Sequence, residues 1–297
     1  MTVLRTPDER FDNLPGYDFA ANYADIGGLR MHFVDEGPRD GEVVLLLHGE
    51  PSWSYLYRHM IPPLVAAGFR VIAPDLVGFG KSDKPSRKSD YSYAGHVDWM
   101  RRFIESLDLN DITLFCQDWG SLIGLRVAAE NEQRFARIAV GNGGLPTGDE
   151  ELPRAFFAWR TFARYSPWFP IGKILQKATV TELSDDVIAA YDAPYPSSAY
   201  KAGARAFPML VPTLPDDPAS AANRAAWDVF RNWEKPFLTT FSNRDPITRG
   251  GDIPWQQTVP GATDREHVTI RNAGHFLQED KGPELAEVLI QFVAGER

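Results

Sequence analysis

A carboxylate stands where a strand should meet a helix, in Leu114-Phe115-Cys116-Gln117-Asp118-Trp119-Gly120-Ser121-Leu122. The apolar run from Ile112 to Phe115 predicts a strand, and the pattern from about Trp119 to Ala129 predicts a helix. Small residues, Cys116 and Gly120, lie two positions to either side of Asp118. A nucleophile elbow needs that spacing, because only small flanking residues fit beside its strained centre. An aspartate near a helix N-terminus also has a purely structural use, as a cap in favourable alignment with the macrodipole. Two residues further along decide for chemistry. Asp245 follows a strand-like run from Pro236 to Phe241, and His275 follows one from Glu266 to Arg271. Of the six histidines, His275 sits in a tight loop, Asn272-Ala273-Gly274-His275-Phe276, which brings its ring to the end of a strand. Asp-Pro also initiates turns, but no acid occurs in Val140-Gly141-Asn142-Gly143-Gly144, the other strand end that could supply one.

An aspartate at the elbow dictates the reaction. A serine must lose a proton before attacking, whereas a carboxylate is already ionised near neutral pH. Its attack on an ester would yield only an anhydride. Attack on a saturated carbon bearing a leaving group yields an alkyl ester on the protein. The histidine is then free to activate water, which hydrolyses that ester at the aspartyl carbonyl carbon. Two backbone N–H groups are placed to hold the resulting oxyanion, those of Trp119 and of Glu50 in the turn His48-Gly49-Glu50-Pro51.

The elements that must position these residues alternate. Tyr17 to Asp25 and Leu29 to Asp35 read as a hairpin around Ile26-Gly27-Gly28. Val43 to Leu47 and Phe69 to Ala73 read as buried strands, with helices from Ser54 to Ala67 and from Tyr93 to Leu107, and a further strand from Ile138 to Gly141. From Pro146 to about Trp233 the strand runs stop, and prolines, helical stretches and aromatics take over. Phe156, Phe157, Trp159, Trp168, Tyr195 and Trp227 are available there to line a cavity. A helix from Gly282 to Ala294 closes the chain. The expectation is an α/β protein with a mostly parallel sheet and helices on both faces. Residues 1–145 and 234–297 would form its core, and 146–233 a helical cap over the carboxyl ends of the strands.

With 297 residues the chain can bury a large core, and its net charge of −9 argues against nucleic acid or an anionic membrane as partner. The single cysteine, Cys116, excludes an internal disulfide. Met1 to Pro15 lacks the apolar core of a signal peptide, and Val43 to Leu47 is too short to cross a bilayer. A cytoplasmic, monomeric protein is the expectation.

The order nucleophile, acid, histidine is that of the α/β-hydrolases. Within that superfamily the sequence resembles the haloalkane dehalogenases, in the subfamily whose catalytic acid follows the later strand. The resemblance runs from about Tyr17 to Phe292 and is tightest at His48-Gly49-Glu50-Pro51-Ser52-Trp53-Ser54-Tyr55-Leu56-Tyr57-Arg58, Gln117-Asp118-Trp119-Gly120 and Ala273-Gly274-His275-Phe276. It continues through Ala193-Pro194-Tyr195-Pro196 and Arg205-Ala206-Phe207-Pro208. Cys116, where the elbow motif has glycine, and Ser121, where similar sequences often carry glycine, are small departures. The resemblance implies Asp118 as nucleophile, Asp245 as acid, His275 as base, and no cofactor or metal. It implies a halide held between the indole N–H groups of Trp119 and Trp159, with Phe156 and Pro208 on the cavity wall. Some relatives use an asparagine at the position of Glu50 as second donor. A glutamate carboxylate cannot donate, so that donor is expected in the insertion, where Trp168, Trp227 and Trp233 compete with Trp159. The substrates implied are a small halogenated aliphatic and water, the products a primary alcohol and halide.

Three rival readings stay open. An epoxide hydrolase would use the same triad with phenols to protonate an alkoxide, and Tyr165, Tyr191, Tyr195 and Tyr200 are present in the insertion. A fluoroacetate-type dehalogenase should show an arginine pair after the nucleophile, which Ser121-Leu122-Ile123-Gly124 lacks. A non-catalytic ligand-binding member of the superfamily would have no use for an intact triad.

Overall fold

Strands buried on both faces must be apolar throughout, and Val43–Leu47 meets that demand at the centre of the sheet. The computed structural model describes residues 1–295. The strands of its main sheet are β1 (Asn22–Asp25), β2 (Arg30–Glu36), β3 (Val43–Leu47), β4 (Arg70–Pro74), β5 (Ile112–Asp118), β6 (Phe135–Gly143), β7 (Phe237–Ser242) and β8 (Val268–Ile270). They lie in the order β8-β7-β6-β5-β3-β4-β2-β1. In this sheet the hairpin β1–β2 and the pair β2–β4 are antiparallel and the other pairings parallel. Val3–Leu4 and Lys84–Pro85 form a separate antiparallel pair.

Helices cover both faces, as the alternating pattern requires. They include α1 (Ile61–Ala66), α2 (Tyr93–Ser106) and α3 (Trp119–Glu130), and α2 packs on α3. Ser92 caps α2 by accepting the Gly95 N–H at 3.0 Å. Between β6 and β7 the chain forms α4 (Arg154–Tyr165), α5 (Ile171–Ala178), α6 (Asp185–Asp192), α7 (Ala202–Leu210) and α8 (Ser220–Phe230). Then come α9 (Asp252–Thr258) and α10 (Leu277–Val293), and α10 packs on α1. No helix among the described residues is long and apolar enough to cross a membrane.

Three elements depart from the sequence expectation for identifiable reasons. The helix expected from Ser54 to Ala67 divides into a 3-10 turn, Ser54–Tyr57, and α1. Pro62 and Pro63 lack N–H groups and are tolerated only in the first turn, so the α-helix starts just before them. The first strand begins at Asn22 rather than Tyr17. Tyr17 instead packs edge-on against Trp53, and its hydroxyl lies 2.5 Å from that of Ser54. The last helix starts at Leu277, five residues early, and breaks at Lys281, just before the Gly282 at which a helix was expected.

The helices between β6 and β7 are pinned to the sheet domain by a buried ionic group. Arg58, after the 3-10 turn, forks onto Glu279 of α10, with Nη2 to Oε2 at 2.9 Å. The Tyr191 hydroxyl of α6 donates to the same carboxylate. Removing one partner of a buried pair strands the other charge, at a cost of ~3–5 kcal/mol, whereas exposed pairs contribute ~0–1 kcal/mol. Glu279→Ala should therefore lower unfolding free energy in denaturant titration by ~3–5 kcal/mol. Asp228→Ala, which breaks the exposed pair with Arg231, should cost under ~1 kcal/mol.

Candidate active site

Asp118 ends β5 and precedes the first residue of α3, with φ 50° and ψ −127°. Positive φ is strained for any residue with a Cβ, and here it turns the carboxylate out of the sheet edge. The turn closes only because two neighbours have no side chain. A Cβ on Gly120 would lie 2.0 Å from the Leu47 carbonyl oxygen, and one on Gly49 would lie 2.3 Å from Asp118 Oδ1. Gly49 thus lets the turn after β3 approach the carboxylate, and the Glu50 N–H donates to Asp118 Oδ1 at 2.7 Å. The Trp119 N–H is the first of the N–H groups that a helix start leaves without an intrahelical partner.

The structure brings all three triad candidates together. His275 Nε2 lies 3.3 Å from Asp118 Oδ2, and its Nδ1 lies 2.8 Å from Asp245 Oδ2. Asp245 is held by its own turn, the Ile247 N–H donating to Oδ1 at 2.8 Å and the Thr248 hydroxyl to Oδ2. The turn-forming tendency of Asp-Pro and the ion pair to histidine therefore coexist at one residue. Side-chain exposure separates the two carboxylates: 22% for Asp118 against 0% for Asp245. Only Asp118 is open to a substrate.

Burial would raise the Asp245 carboxyl, but the charge and hydrogen bond of His275, with help from Thr248 and Ile247, hold it down to about 2. Burial would lower His275, but the Asp245 charge and the hydrogen bond to Asp118 lift it well above its ordinary value. The two carboxylates facing the ring thus favour its protonated form.

Several residues that the sequence reading passed over hold these groups in place. Asn142, at the strand end that lacks an acid, donates its amide to the carbonyls of Gly274 at 2.8 Å and His275 at 2.9 Å. Gln117 donates to the His275 carbonyl at 3.2 Å. Ser121, a departure from the motif, accepts the Gly144 N–H at 2.8 Å and lies 2.6 Å from the Asp118 carbonyl oxygen. Asp280 accepts the N–H groups of Gly274 and Thr181, each at 2.7 Å, and the His275 N–H donates to the Ala178 carbonyl at 2.8 Å. The histidine loop is thereby stapled to the segment after α5. The bonds from Asn142 and Gln117 to the histidine loop were invisible in the sequence because they span more than 130 residues.

Asp118 and His275 open into a cavity of about 960 Å³ whose wall includes Glu50, Trp119, Phe156, Trp159, Pro208 and Trp227. Phe156 and Pro208 thus stand where the sequence placed them. Phe157 and Trp168 do not: they are 44% and 63% exposed on the outer surface. Phe157 follows Phe156 on α4, and adjacent helical residues point about 100° apart. Tyr195 is buried away from the cavity. Of the competing tryptophans, Trp227 gives its N–H to the Leu145 carbonyl at 2.8 Å and Trp233 is fully buried elsewhere. Trp159 lines the cavity with Glu50, and its indole opposes the rise of the Glu50 carboxyl pKa. No tyrosine lines the cavity among the described residues. Tyr165 is exposed, and the Tyr191 hydroxyl is spent on Glu279. No cluster of three or more metal-ligating side chains occurs among the described residues.

Comparison with known proteins agrees with this geometry. The model of the α/β-hydrolase fold family matches residues 42–282. A haloalkane dehalogenase of Psychrobacter cryohalolentis is 57% identical over 99% of this chain and 98% of its own length. One from Mycobacterium marinum is 58% identical over 98% of this chain and 100% of its own. Among solved structures, a tetrameric haloalkane dehalogenase from Paraglaciecola agarilytica superposes with a TM-score of 0.91 at 38% identity, covering 97% of each chain. The chain belongs to the haloalkane dehalogenases of the α/β-hydrolase fold, enzymes that hydrolyse carbon–halide bonds.

Proposed function

We propose that haloalkanes are hydrolysed here in two displacements at Asp118. In the first, an Asp118 oxygen attacks the carbon bearing the halogen. A C–O bond forms, the C–halogen bond breaks with its electron pair, and the halide departs between the N–H groups of Trp119 and Trp159. In the second, His275 takes a proton from water whose oxygen adds to the Asp118 carbonyl carbon. The oxyanion on Asp118 Oδ1 is held by the backbone N–H groups of Glu50 and Trp119. Collapse expels the alkoxide, which takes the proton from His275 and leaves as a primary alcohol. Asp245 steadies the imidazolium throughout.

One observation carries this reading: the exposed carboxylate at the elbow meets a histidine inside an apolar cavity without phenols. An epoxide hydrolase needs acids to protonate an alkoxide, while a halide leaves unprotonated and needs only donors. Residues 146–233 serve as a cap closing the cavity over the core formed by 1–145 and 234–297. Every group used comes from one chain, so a single copy suffices for the chemistry; the solved Paraglaciecola relative is a tetramer.

The charge on His275 orders the two steps. Alkylation needs no base, so the resting imidazolium is compatible with it. Forming the ester removes the Asp118 charge, one of the supports that keep the ring protonated. The imidazolium then releases its proton to solvent, and the neutral imidazole becomes the base.

The discriminating assay is bromide release from 1,2-dibromoethane beside diol formation from styrene oxide. Bromide release without diol is expected, abolished in Asp118→Ala; diol as the main product would favour the epoxide reading. The charge argument has its own check in histidine NMR. Asp118→Asn removes the charge much as the ester does, so the His275 pKa should fall relative to the parent. Ester hydrolysis should accordingly be lost as pH drops through that lower value. An unchanged His275 pKa would show that Asp118 contributes nothing to its protonation.

A further inference from the structure

The reading above uses only the backbone of Glu50, yet its side chain points at the same chemistry. Glu50 lines the cavity, is 4% exposed, and has one carboxyl oxygen, Oε1, buried without a hydrogen-bond partner among the described residues. The Trp159 indole lines the same cavity and is the side-chain donor acting on this carboxyl. Its own backbone N–H holds Asp118 at 2.7 Å, and both residues line the same cavity. The groups that face Glu50 electrostatically are Asp118 and His275 from the core and the buried, unpartnered phenol of Tyr195 from the cap. His275 is already committed to two carboxylates.

A third carboxylate in this region has no cation left to balance it, and buried carboxyl groups in that position keep their proton. Burial first, then the Asp118 charge, push the Glu50 carboxyl well above the usual range, against the opposing pull of Trp159 and His275. The leaving halide sharpens the constraint. An ionised Glu50 would hold the Trp159 donor for itself and would repel the halide beside it. A neutral acid does neither, and its O–H is a donor. The expectation that a glutamate here cannot donate presupposed an ionised side chain.

We propose that Glu50 works as a protonated carboxylic acid whose O–H joins the Trp119 and Trp159 N–H groups as a third donor to the departing halide. The inference rests on the halide site assigned above. The proton stays on Glu50 throughout, and the halide leaves as the free anion with the electron pair of the broken bond.

Bromide titration monitored by tryptophan quenching tests this in a His275→Phe background, where imidazole protonation no longer contributes. Bromide affinity should weaken about tenfold to a hundredfold as pH rises and Glu50 loses its proton, the span of one hydrogen bond to an ion. Adding Glu50→Gln, which is nearly isosteric and donates at every pH, should bind as tightly as the low-pH form with no pH dependence. Adding Glu50→Leu should bind weakly throughout. If bromide affinity is independent of pH and Glu50→Leu binds like Glu50→Gln, while Trp159→Phe weakens binding, the Glu50 inference falls and the halide site stands. If Trp159→Phe and Glu50→Leu both bind as the His275→Phe protein does, the halide site itself is misplaced and the inference falls with it.

Discussion

Everything in the site depends on the backbone at Asp118 holding a conformation that a residue with a side chain avoids. At φ 50° the carboxylate projects from the end of β5 into the cavity instead of along the sheet. Such strain persists only where the surroundings over-determine it. Here Gly49 and Gly120 supply the clearance, Ser121 bonds the elbow to the end of β6, and the Glu50 N–H fixes the carboxylate's direction. Approach of the β3 turn to Asp118 thus also brings the Glu50 N–H, half of the proposed oxyanion hole, onto the carboxylate. A side chain at either glycine would undo both.

The second dependence is electrostatic. Three carboxyl groups, Asp118, Asp245 and Glu50, act on one largely buried imidazole. Buried charge must be paired or neutralised. The structure distributes it: Asp245 is held ionised by His275 and its own turn, and Glu50 is pushed toward neutrality. In the proposed reaction the remaining charge moves from Asp118 to the halide and out. His275 would answer that movement, paired with Asp118 before the ester forms and acting as base after it.

The chemistry was legible in the sequence because it depends on local pattern. A strand end, small flanking residues and an aspartate name the elbow, and the spacing of Asp245 and His275 after their strands follows from sheet periodicity. The proline pair at 62–63 would equally have ended the expected helix early, had its missing N–H groups been counted. What stayed hidden is long-range. Asn142 and Gln117 look like ordinary polar residues until the fold brings them against the histidine loop. The outward turn of Phe157 and Trp168 was hidden for the same reason, since the face an aromatic takes is set by packing rather than composition. Glu50 is the sharpest case: its identity suggested a negative charge, and only its burial and the Asp118 charge disfavour one.

The central claim is covalent catalysis by Asp118 with His275 needed only for the water step. Intact-mass spectrometry of His275→Phe after incubation with a bromoalkane addresses it directly. The mass should rise by one alkyl group, carried by the peptide containing Asp118, and the adduct should persist. A folded His275→Phe protein that shows no adduct would contradict it.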